Sequence, residues 1–107
     1  MLPTRYPTLR FTHPFDEREA FEAHARGYLG FGTVDVTEDR SIPVVFYDSA
    51  RLLQDLELEA ERGRAFIADP GMIVLTVVTR ETMEGAVVRL FEEGFFNHFR
   101  DESDMRR

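Results

Sequence analysis

Residues 72–78, MIVLTVV, are the stretch that most narrows what this chain can fold into. The run is too short for a buried helix, rich in β-branched residues, and introduced by Asp69, Pro70 and Gly71. In such a turn proline pre-sets φ of the first central residue and glycine supplies positive φ at the next. A strand apolar on both faces is a central strand covered by a layer on either side. The chain that follows offers a cover. Thr79 is placed to cap a helix in which Met83, Ala86, Val87, Leu90 and Phe91 make an apolar stripe at helical spacing. Gly94 is the expected stop, with Phe95 folding back onto the last turn. Phe91 and Phe95 are therefore expected inside, whereas Phe96 and Phe99 are left between a core position and an interface.

Upstream, residues 7–13 alternate Leu9 and Phe11 with polar neighbours, the period of a half-buried edge strand. Pro14, Asp16 and Glu17 suit a helix start, and Phe21, His24, Ala25 and Tyr28 share one side of the helix that ends at Gly27. Residues 27–36 and 42–48 read as a hairpin whose loop spans residues 37–41. Asp48 caps a second helix with a buried stripe of Leu52, Leu53, Leu56 and Ala60. Leu58 points away from that stripe. Residues 64–68 are open between a short partner strand and a loop.

The order strand, helix, strand, strand, helix, strand, helix predicts an α+β two-layer sandwich, ferredoxin-like βαββαβ with an additional C-terminal helix. Its sheet should be antiparallel with two helices on one face, the extra helix covering the other. All 107 residues belong to one domain, ending in a charged tail over residues 100–107.

Function classes are narrowed mainly by what the chain lacks. There is no cysteine, hence no disulfide framework and no thiolate chemistry, which is compatible with a cytoplasmic location. All 13 basic residues are arginine, so a phosphate-loop lysine and a Schiff-base amine are both excluded. Against them stand 20 acids, for a formal charge of −7. That balance argues against nucleic acid and for a basic protein partner. No apolar run approaches the roughly 18 residues of a membrane span, and the N-terminus has no signal-peptide run.

The glycines at 27, 30 and 32 form G-x-x-G-x-G leaving a helix, the reverse of a dinucleotide fingerprint. No histidine pair has metal-ligand spacing, and no serine sits in a nucleophile motif, so neither a cofactor nor a metal is expected. The resulting expectation is a non-enzymatic interaction module, similar in role to an immunity or antitoxin-like inhibitor. Its partner-binding residues would be Asp55, Glu57, Leu58, Glu59 and Glu61, with Phe96 and Phe99. The alternatives are a small-molecule sensor using Arg26, Gly27, Gly30 and Gly32, and a structural homodimer joined through Phe96 and Phe99.

Overall fold

A computed structural model describes residues 6–99, so the charged tail at 100–107 lies outside the described residues. The elements run β1 (Thr8–Phe11), α1 (Glu17–Arg26), β2 (Tyr28–Thr37), β3 (Arg40–Asp48), α2 (Ser49–Glu61), β4 (Met72–Leu75) and α3 (Arg80–Glu92), followed by a 3₁₀ turn, Phe95–His98. The fold is α+β, a four-stranded mixed sheet with three helices.

The strands lie in chain order, β1-β2-β3-β4. The first two pairings are antiparallel and β3 with β4 is parallel, which departs from the all-antiparallel sheet expected. The β2–β3 connection is also tighter than expected, with only Glu38 and Asp39 between the strands. Helix α2 serves as the crossover that a parallel pair requires.

Local chemistry sets the helix boundaries. The Asp16 carboxylate accepts from Glu19 N at 2.9 Å, so α1 begins at Glu17, three residues after the proline expected to start it. Asp48 accepts from Arg51 N at 2.8 Å. Thr79 and Thr82 satisfy each other's backbone N–H groups in a reciprocal cap at 3.0 and 3.1 Å. Met72 N donates to Asp69 O at 3.2 Å, closing the Asp-Pro-Gly turn.

One sheet face carries the core. Leu29, Val34, Ile42, Val44, Phe46 and Ile73 meet Ala23 of α1, Val78, Met83 and Val87 of α3, and Phe96. Helix α1 approaches through Ala20 and Ala23, leaving Phe21 73% exposed and His24 and Ala25 on the outside. Phe91 is 36% exposed while Phe96 is 2% exposed, the reverse of the expected order. Gly94, at φ +81°, reverses the chain after α3 and sends the 3₁₀ turn inward, so Phe96 rather than Phe91 fills the gap.

Residues 72–78 are not covered on both sides. Pairing stops at Leu75, Ile73 is buried, and Val74 and Val77 are 50% and 39% exposed. Helix α3, expected to shield the second face, packs on the core face instead.

The second face is polar toward β1. The Arg10 guanidinium makes two bonds to Asp35, at 2.7 and 2.9 Å, and Ser41 donates to the same carboxylate at 2.6 Å. The bond from Arg10, reinforced by Ser41 and opposed by partial burial, holds the Asp35 carboxyl below its usual range. A depressed folded-state pKa contributes stability above the unfolded value and loses it as pH falls toward the folded one. Asp35→Asn should therefore cost about 0.5 to 1 kcal/mol at neutral pH, the range of a part-exposed ion pair. Urea unfolding should show that cost shrinking below pH ~4. A difference that stays constant into acid would refute this account.

Candidate functional site

The site begins with the seating of α2. Helix α2 buries none of its residues fully, although it spans 13. Its half-buried positions are Arg51, Leu52, Asp55, Leu56 and Glu59, so the helix is rolled toward its acids relative to the expected leucine stripe. Leu53 is 56% exposed, Leu58 is 43% exposed, and Ala60 also faces solvent. Ion pairing explains the roll. Arg51 Nε lies 2.9 and 3.0 Å from the two Asp55 oxygens, one turn away, and Arg62 and Arg64 lie 3.5 and 3.7 Å from Glu59. A carboxylate neutralised at helical spacing can face the sheet, where an unpaired one would remain in water.

Arg51 also ties α2 to the rest of the fold. Its guanidinium donates to Arg26 O at 3.1 Å and lies 5.1 Å from the Tyr28 ring centroid. Tyr28 pairs across the strands with Tyr47, their ring centroids 4.9 Å apart. Strand alternation puts both tyrosines on the face opposite Phe46 and the core. Helix α2 therefore lies over that second face.

Between α2, Tyr47 and the segment leading to β4 is a cleft of about 390 Å³. Residues 64–68 form no strand; they run as a loop that makes its outer wall. Tyr47, Asp55, Leu58, Glu59, Ile67 and Asp69 line the cleft together with Arg62, Arg64 and Ala68. Burial first, then the neighbouring Tyr28, Asp69 and Asp55, push the Tyr47 phenol above its ordinary range, against a smaller opposing effect of Arg51. Tyr47 thus stays a neutral hydroxyl, able both to donate and to accept.

The cleft gathers Asp55, Leu58 and Glu59 from the expected partner-binding set. Glu57 and Glu61 stand apart on the outer side of α2, exposed and without an ion pair among the described residues. Phe96 cannot meet a partner, because it is core. Phe99 is partly buried, packs on that core and lies 5.3 Å from the Phe95 ring. The pair that the homodimer alternative would use to join two copies is therefore packed on the core at the 3₁₀ turn.

The glycine set also resolves into packing. Arg26 binds Glu19 at 2.6 Å and Tyr28 O at 3.2 Å. Gly27 ends α1 at φ +69° against the Asp48 side chain. Gly30 lies under the Tyr28 hydroxyl, and Gly32 leaves room for Val44 and Phe46. Each position serves close approach within the fold, and none lines the cleft.

Tyr47, Ile67 and Asp69 were not anticipated as site residues. A signal for Tyr47 lies in Phe46–Tyr47, where alternation puts a phenol opposite a core ring; Asp69 was masked by its turn chemistry.

Among the described residues no three His, Asp or Glu side chains are grouped to hold a metal ion, and no helix is long and apolar enough to cross a membrane. No family model matches the sequence, and no curated protein or solved structure is detectably similar to it.

Proposed function

We propose that this chain is a non-enzymatic protein-interaction module that meets a basic partner through the outer side of α2 and the loop behind it, in the manner of an immunity or antitoxin-like inhibitor. The observation that carries this reading is the loose seating of α2. Leu53, Leu58 and the 53% exposed Phe66 stand in water around it, beside the unpaired Glu57 and Glu61. Apolar surface rimmed by charge is the composition of a docking patch, and unpaired carboxylates at its rim steer and orient a basic partner. The ion pairs at Asp55 and Glu59 leave Glu57 and Glu61 as the helix's free charge.

The test is capture of a partner with the tagged full chain, followed by rebinding of that partner in purified form. Glu57→Arg with Glu61→Arg should weaken the purified complex about tenfold, ~1.4 kcal/mol. Leu53→Asp should weaken it comparably, and salt should lower affinity by screening. A purified complex indifferent to the double reversal, to Leu53→Asp and to salt would end this reading. A second reading, small-molecule sensing, draws its support from the cleft rather than from the glycine stretch.

A further inference from the structure

We propose that the cleft behind α2 is an acceptor pocket for one basic side chain, arginine or lysine, presented by the partner; this rests on the interaction reading above and specifies what the partner must insert. The first observation is Tyr47. It is only 6% exposed, and its hydroxyl makes no hydrogen bond among the described residues. Yet no fully buried side-chain oxygen or nitrogen of the described residues lacks a partner. The hydroxyl therefore keeps an opening, and the cleft that Tyr47 lines is where it opens.

The second observation is Asp69. Asp69 lines the same cleft, and its carboxylate, which acts on the Tyr47 phenol, makes no hydrogen bond or ion pair among the described residues. Asp55 lies on the α2 side, held by Arg51. A cation in the cleft would meet a charged acceptor in Asp69 and a neutral one in the Tyr47 oxygen, and charge-assisted bonds of this type are the strong ones. Leu58 and Ile67 supply apolar walls for the aliphatic stem that carries such a group.

The sign of the ligand follows from which charges face the phenol. Asp69 and Asp55 both act on Tyr47 against its ionisation, and Arg51, which acts the other way, is bound to Asp55. Arg62 and Arg64 also line the cleft, but each lies against Glu59, and Arg64 also stands over the Phe66 ring at 4.1 Å. An anion entering the cleft would confront Asp69.

The test is an amide NMR titration of the full chain with blocked arginine (N-acetyl, N′-methylamide) and with blocked lysine. Blocked citrulline, which has nearly the shape of arginine without its charge, is the control, and spermidine serves as a free polyamine. Either blocked cation should shift the Tyr47, Ile67 and Asp69 amides saturably, and citrulline should leave them in place. Asp69→Asn should weaken binding about tenfold, as loss of a charged acceptor does. Tyr47→Phe, nearly isosteric and so expected to stay folded, should weaken it roughly threefold. Glu57→Arg with Glu61→Arg should leave it within about twofold, since neither residue lines the cleft.

The proposal is overturned by the absence of shifts up to roughly 50 mM, where a millimolar site would be nearly full. Equal response to citrulline also overturns it, and so does saturable binding of spermidine alone, which would make the cleft a small-molecule site. Cleft binding that persists while the partner ignores Glu57 and Glu61 would remove the α2 reading and leave the pocket; the opposite pair of results would remove only the pocket.

Discussion

Phe96→Asp should give a chain that does not fold, and Phe96→Leu one that does. Phe96 is 2% exposed and belongs to the cluster that includes Met83 and Val87 of α3 and Phe46 of β3. Its ring stands edge-on to Phe95 at 5.2 Å and close to Phe99 at 6.2 Å. Removing so large a buried ring costs about 3 to 5 kcal/mol. The aspartate then adds several kcal/mol more, because no cation or donor waits there for its charge. Together these costs approach the 5 to 15 kcal/mol of total stability typical of a domain. Leucine keeps most of the apolar volume and should cost about 1 to 2 kcal/mol. Circular dichroism and amide spectra of the two variants decide the matter. A folded monomer from Phe96→Asp with Phe99→Asp, derived from a dimeric parent, would instead restore these rings to an interface.

Phe96 also shows where sequence reasoning reaches its limit. Capping and turns are local, so Asp48, Thr79 and the Asp-Pro-Gly turn were all legible: the two side chains, and the Asp69 carbonyl in the turn, each accept from a backbone N–H three residues on. Gly94 was legible as a stop, but the direction in which the chain leaves an αL glycine is decided by the core it meets. The apolar stripe pointed to Phe91, and the turn delivered Phe96. Helix α2 was misread for a related reason. Apolar periodicity treats Asp55 and Glu59 as water-facing, whereas Arg51, Arg62 and Arg64 neutralise them and let the helix roll onto its acids. Ion pairing thus redirected a face that hydrophobicity alone assigned to Leu53.

The sheet failed at a different level. The order of elements along the chain came out as expected, but one order of elements is compatible with several orders of strands in space. In MIVLTVV the apolar character of both faces implied two covering layers, yet Val74 remains half in water. The proposed docking surface draws nothing from that strand; its support is α2, with its exposed leucines and its glutamates without an ion pair among the described residues. A third of the cleft lining, Asp55, Leu58 and Glu59, was visible as an odd helix pattern; Tyr47 and Asp69 needed the parallel pairing of β3 and β4 to bring them to one cleft.

That pairing depends on Gly71, and its removal is the second large effect expected. Gly63 and Gly71 both adopt positive φ, +87° and +77°. An L-residue in that region costs roughly 1 to 2 kcal/mol. At Gly63 a Cβ would meet nothing within 4 Å, so Gly63→Ala should cost only that amount. At Gly71 the same carbon would fall on the Pro43 carbonyl oxygen, with Val44 Cα at 3.2 Å and the Pro43 carbonyl carbon at 3.3 Å. These are backbone atoms of β3, which is held by β2 on one side and β4 on the other, so they cannot give way as a side-chain tip would. Relief must come from the turn itself. Moving it stretches the 3.1 Å bond from Val45 N to Gly71 O and the 3.2 Å bond from Met72 N to Asp69 O, which begin the β3–β4 ladder and fix Asp69 at the cleft. Gly71→Ala should therefore cost about 3 to 5 kcal/mol in urea unfolding, the range reached when strain and broken backbone bonds combine. It should also alter the Asp69 and Tyr47 amide signals in whatever fraction stays folded. Equal costs at the two glycines would mean that the turn before β4 does not lie against Pro43 and Val44, and Asp69 would lose the anchor that holds it at the cleft.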